Sequence, residues 1–174
     1  MKPFFSEVAF LLISIQLHAA TTYSINSNTY WNGNFPNNCI FNISAGVTLT
    51  LNIYATCHNC TINGGTVTMT QDFTFQGTDF NNTTMNLGSN TLNLQNNGTN
   101  FTNTIVNATG SSTFNPTKAL AITGSTFNFS GTSVFDNNGG KLDINSSMLY
   151  FYGDSRFIAD AGPVNLNSNS QLIA

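Results

Sequence analysis

The chain has 174 residues and a formal net charge of −3; 6% of its residues are charged and 40% are hydrophobic. Disorder couples poor hydrophobicity to high net charge, so this composition excludes it. Four Lys+Arg residues cannot form the basic stripe that neutralises phosphates, which excludes nucleic acid as a partner.

The first twenty residues read as a secretory signal peptide. Lys2 gives a basic start, Val8 to Ile15 is an apolar run, and His18-Ala19-Ala20 ends in small residues. The stretch is too short for a stable bilayer span, although Glu7 departs from the usual grammar. Cleavage there leaves a secreted or cell-surface domain. No later stretch is long and apolar enough for a membrane helix.

Residues 21–38 carry Tyr30, Trp31 and Phe35 in an Asn-rich context closed by Pro36. They lie outside the repeat that follows. They are expected to cap the exposed edge of a first coil.

From Cys39 onward, apolar and polar residues alternate. Val47-Thr-Leu49-Thr-Leu51-Asn-Ile53, Val67-Thr-Met69, Phe73-Thr-Phe75 and Leu92-Asn-Leu94 each read as a strand with one buried face. Gly64-Gly65, Asn97-Gly98, Asn138-Gly139-Gly140 and Gly162-Pro163 punctuate them as turns. No window has the spacing of an amphipathic helix.

Near the C-terminus one phrase recurs. Leu120-Ala-Ile122-Thr-Gly-Ser-Thr-Phe127 returns as Leu142-Asp-Ile144-Asn-Ser-Ser-Met-Leu149. It returns again, one residue longer, as Val164-Asn-Leu166-Asn-Ser-Asn-Ser-Gln-Leu172. Phe127-Asn-Phe129-Ser-Gly-Thr-Ser-Val-Phe135 and Leu149-Tyr-Phe151-Tyr-Gly-Asp-Ser-Arg-Phe157 repeat in step with it. Ile40, Ile62, Met85, Ile105, Phe127 and Leu149 serve as one anchor per repeat and give a period of about 22 residues. A fixed period in this range marks a stacked solenoid. An antiparallel sandwich has no need of a constant interval, whereas a solenoid must place each coil's inward residues above the last. The predicted fold is all-β: a right-handed parallel β-helix over 39–174, with Leu120, Leu142 and Val164 stacked.

These phrases resemble those of the secreted β-helix repeat proteins of bacterial surfaces, over roughly Ile40 to Ala174. The resemblance implies a non-catalytic, adhesin-like domain. The same architecture also serves polysaccharide lyases and passenger domains, so a lyase or hydrolase fragment is the competing expectation. Leu172-Ile173-Ala174 stops within the repeat phrase, which implies a fragment or a last coil open to end-to-end association.

Three cysteines are present. Cys39-Ile-Phe41-Asn and Cys60-Thr-Ile62-Asn match, so Cys39 and Cys60 are expected to stack in adjacent coils and to form a disulfide, leaving Cys57 free. Another pairing remains open. Cys57-His58-Asn59-Cys60 lacks the ligands of a zinc site or the order of a haem site, so no metal and no cofactor is assigned. Asp72, Asp79, Asp136, Asp143, Asp154 and Asp160 do not stack on one another under the period. Only Asp136 and Asp160 are expected to approach one another, both before a copy of the Leu-x-Ile strand, and no catalytic residue is assigned from them.

Leu149 and Phe151 keep the inward register, which sends Tyr150 and Tyr152 outward above Asn128 and Ser130. Two exposed aromatics on one strand can stack a sugar ring or fill an interface. Tyr150, Tyr152 and Asn128 are therefore the candidate ligand-binding residues. Thr48-Leu-Thr50 and Thr68-Met-Thr70 are expected to stack as a short outward ladder, a feature similar to the Thr arrays of ice-binding solenoids. Low charge and abundant amides favour neutral carbohydrate, or a surface protein, as the partner. Sequons such as Asn42, Asn82 and Asn107 follow from composition.

Overall fold

A computed structural model describes residues 20–95 and 98–174; the signal-peptide reading, apart from its last residue, lies outside them. Every regular element among the described residues is a β-strand. The strands wind into a parallel solenoid of about seven turns, with about 21 residues per turn.

Three parallel sheets form its sides. The first stacks Thr21–Ile25, Cys39–Ile43, Thr61–Asn63, Asp79–Asn81, Thr99–Thr102, Leu120–Thr123, Leu142–Asn145 and Val164–Asn167. The second runs from Thr29–Trp31 and Thr48–Leu51 to Met148–Phe151 and Gln171–Ile173. The third has six strands, from Ala55–His58 to Arg156–Ala161. Each strand hydrogen-bonds to the strand one full turn away, never to its neighbour in sequence. That is why the apolar pattern must repeat once per turn.

Leu120, Leu142 and Val164 stack as expected. The inward column of the first sheet runs Phe41, Ile62, Phe80, Phe101, Ile122 and Ile144, with Leu166 in register above Ile144 but exposed. The early steps differ from the late ones: Ile62 to Phe80 is 18 residues and Ile144 to Leu166 is 22. The interior is a stack of rings, with Phe80 on Phe101 at 4.6 Å, Phe114 against Phe135 at 4.8 Å and Phe129 on Phe151 at 5.0 Å between centroids. Offset and edge-on ring contacts of this kind add to area burial.

The corner between the first and second sheets explains the repeated phrase. Asn82, Asn103, Gly124, Ser146 and Ser168 have φ between 49° and 59°, the left-handed region that Gly and Asn tolerate best. The next inward position carries a small hydroxyl: Thr83, Thr104, Ser125 and Ser147, each at most 2% exposed. These hydroxyls form a ladder. Thr104 N donates to Ser125 Oγ at 3.0 Å, and Ser125 N donates to Ser147 Oγ at 3.0 Å. Ser125 Oγ in turn donates to the carbonyl of Thr123 at 2.9 Å, with the Phe101 carbonyl 3.3 Å away. The last copy of the phrase is one residue longer. There Ser168 and Asn169 both take positive φ, and the extra residue brings Ser170 Oγ to Ser147 N and to the Ile144 carbonyl.

The structure corrects three expectations. Residues 21–38 are not outside the repeat, because Thr21–Ile25 pairs in register with Cys39–Ile43 and Thr29–Trp31 pairs with Thr48–Leu51. They form a coil whose Phe35 fills the core beside Phe41, with ring centroids 4.8 Å apart. The anchor positions also slip. Ile40 lies opposite Thr61, Ile62 belongs to the first sheet and Met85 to the second, and Met85 pairs with Val106 while Ile105 faces out. Finally, Thr48 stacks on Thr66 and Thr50 on Thr68, a step of 18 residues rather than 20. The cause is common to the last two. Corners of unequal length change the step, and an apolar residue can belong to any of three walls.

Candidate functional site: the outer face of the second sheet

Alternation fixes which side chains form this face. Leu49, Leu51, Val67, Met69, Met85, Val106, Phe127, Phe129, Leu149 and Phe151 are buried, so the residues between them point to solvent. One outward column is Thr48, Thr66, Thr84, Ile105, Thr126, Met148 and Gln171. Its neighbour is Tyr30, Thr50, Thr68, Asn86, Asn107, Asn128, Tyr150 and Ile173. Parallel pairing sets successive residues of each column about 4.8 Å apart from coil to coil.

Two properties separate this face from the others. Among the described residues, no strand of the second sheet contains Asp, Glu, Lys, Arg or His. The first sheet carries Asp79 and Asp143, and the third carries His58, Asp136, Arg156 and Asp160. Asp143 is held below the usual carboxylate range by hydrogen bonds from Asn165 and Lys141, and Lys141 Nζ lies 2.8 Å from its Oδ2. The second is a concentration of exposed apolar side chains, although Tyr54 by the third sheet and Leu166 on the first are exposed as well. Tyr30, Ile105, Met148 and Tyr152 are all exposed and all belong to this side.

Tyr150 stacks above Asn128 in register, as the sequence reading places it. Tyr150 and Tyr152 lie 6.0 Å apart with 6° between ring planes, and the Tyr150 hydroxyl donates to Met148 Sδ. Tyr152 is 54% exposed. Below them runs an amide ladder: Asn107 Nδ2 donates to Asn86 Oδ1, and Asn128 Nδ2 donates to Asn107 Oδ1, both at 2.9 Å. The ladder has a direction, so the Asn128 carbonyl oxygen at the tyrosine end is not engaged in it. Amide ladders also occur on the other sheets, as from Asn63 to Asn42 and from Asn115 to Asn93. They are how outward Asn residues stack here, and they do not by themselves mark a site.

Sequence reasoning missed Tyr54. It is 71% exposed and borders a shallow groove with Thr56, Asp72, Thr74 and Asn93 on the third sheet. Asp72 Oδ1 there accepts from Thr91 N at 2.6 Å. The only sequence signal was an aromatic breaking alternation after Ile53. Of the other carboxylates, Asp136 lies opposite Ile158 and Asp143 opposite Asn165, as the period requires.

The cysteines come together in the first coils. Ile40 opposite Thr61 places Cys39 beside Cys60, with 2.9 Å between the sulfurs. The bridge is nevertheless Cys57–Cys60, with Cys39 free. This differs from the expected Cys39–Cys60 bond. Asn59, between the two bridged residues, has φ 52° and turns both side chains inward, which a sequence spacing does not reveal. Burial pushes the Cys39 thiol up to about 11.

Comparison with family models, curated proteins and solved structures returned no match to this chain.

Proposed function

We propose that this is a non-catalytic, secreted or cell-surface repeat protein that binds neutral polysaccharide through the outer face of its second sheet. The observation that carries this reading is the pairing of stacked Tyr150 and Tyr152 with an amide ladder on a face without charge. Sugar rings offer C–H faces to aromatic planes and hydroxyls to amides. A neutral polymer meets no electrostatic penalty on this face, and an extended chain can follow the columns from coil to coil.

The test uses the double variant Tyr150→Ala/Tyr152→Ala on columns of neutral polysaccharides. Loss of retention with an unchanged Tm supports the reading. Unchanged retention overturns it for these residues, and a cleaved polysaccharide would favour the hydrolase or lyase reading.

A second reading rests on the Thr column. Thr48, Thr66 and Thr84 occupy three successive coils and Thr126 rejoins them, a longer array than the two coils expected from sequence. Such a flat, periodic and neutral array matches a crystalline surface, including ice. Thermal hysteresis that disappears in Thr66→Lys would support it; absence of hysteresis in the parent protein removes it.

A further inference from the structure

Three sulfurs and one carbonyl oxygen converge beneath the first coils. Cys39, Cys57 and Cys60 are each at most 2% exposed. Their Sγ atoms all lie within 4.8 Å of one another. The Pro36 carbonyl oxygen faces all three, at 3.3 Å from Cys39 Sγ, 3.6 Å from Cys57 Sγ and 3.4 Å from Cys60 Sγ.

A tetrahedral zinc site has Zn–S bonds of about 2.3 Å and Zn–O bonds of about 2.1 Å, which gives S···O edges of about 3.6 Å and S···S edges of about 3.8 Å. The three oxygen edges are thus already close to that figure. The sulfurs stand closer together than a metal requires: Cys39 and Cys60, at 2.9 Å, would have to part by about an ångström, and Cys57 and Cys60, once their bond is reduced, by about 2 Å, to reach those edges. The backbone allows both states. Cys57 and Cys60 have Cα atoms 6.4 Å apart across the Asn59 turn, and Cys39 enters from the adjacent coil in the same column.

We propose that the reduced chain binds one divalent thiophilic ion of the zinc class through Cys39, Cys57 and Cys60 Sγ and the Pro36 carbonyl oxygen. The bridged and metal-bound forms exclude each other. A dithiol reductant supplies two electrons and two protons to the Cys57–Cys60 bond and leaves as its own disulfide. The ion then forms three metal–sulfur bonds and displaces three thiol protons. Thiolates, a soft donor set, select such an ion over calcium or magnesium. The inference is independent of the polysaccharide reading, since these residues face the core and the second-sheet columns face solvent.

The experiment takes the full chain, reduced by a dithiol and desalted without oxygen, and titrates it with Co²⁺ and then Zn²⁺. One equivalent should bind, with a thiolate-to-cobalt charge-transfer band that zinc abolishes. X-ray absorption at the zinc edge should count three sulfurs and one light atom. Cys39→Ser should weaken binding by more than roughly 100-fold, beyond what loss of an outer-shell partner costs. His58→Ala should bind as the parent does, because His58 stands opposite Gln76 on the outer side of the third sheet. The bridged protein should bind none. Absence of stoichiometric binding by the reduced parent, or a count of two sulfurs or fewer, overturns the proposal. If Cys39→Ser does not fold, the sulfur count on the parent decides alone.

Discussion

Two columns repeat with nearly the same step along this molecule, one inside and one outside. The inner column is Thr83, Thr104, Ser125 and Ser147 at the corner between the first two sheets. The outer column is Asn86, Asn107 and Asn128 on the second sheet. Both are hydrogen-bonded from coil to coil. The difference is water. Removing an inner hydroxyl strands backbone groups that no solvent can reach, whereas removing an outer amide returns its partners to solvent. Periodicity alone therefore does not measure what a column contributes to stability; burial does.

The contrast is tested most severely in the ring stack beside the inner column. Phe129→Ala should destabilise the fold by about 3–5 kcal/mol through lost transfer energy and the cavity left behind. Phe151→Ala should cost less, because Phe151 is 8% exposed where Phe129 is 0%. Chemical denaturation of both variants checks the order. Equal or reversed costs would mean that the end coils are packed as tightly as the middle.

Ser125→Ala comes next, at about 1–3 kcal/mol, since Thr104 N loses its buried acceptor. Ser125→Thr should recover most of that loss, because Thr104 fills the equivalent position one coil earlier. A neutral Ser125→Ala would erase the distinction between the columns.

Titration offers a milder probe of the interior. Cys39 is raised to about 11 by burial, above the roughly 8.5 of an exposed thiol. Between these values the unfolded chain has released its proton and the folded chain has not. Stability in the bridged protein should then fall as pH rises from about 9 to about 11, and be fully present below that window. Cys39→Ser should flatten the fall; an equal slope in the variant would assign it to other groups.

The smallest effect belongs to the outer column. Asn107→Ala should cost no more than about 0.5 kcal/mol, because Asn107, though half-buried, sits on the outer face where its ladder partners still reach solvent. A larger loss in thermal unfolding would show that the amide ladder acts as a unit.

The later coils were legible because their steps are regular. The inward Leu120–Leu142–Val164 column, the core positions of Phe129 and Phe151, and Tyr150 above Asn128 all follow from alternation combined with the repeated phrase. The early coils were not, because Ile62 to Phe80 spans 18 residues where later steps span 21 or 22.

The sequence by itself determined the strand character, the stacked repeat and, in the later coils, which side chains face the core, since alternation and period are local properties of the chain. Only the tertiary structure decided that residues 21–38 join the stack, that one wall is free of charge, and which sulfurs meet. The reason is geometric: which of three walls a strand joins depends on the lengths of every corner before it, and neighbours across a turn are set by that sum rather than by any one segment.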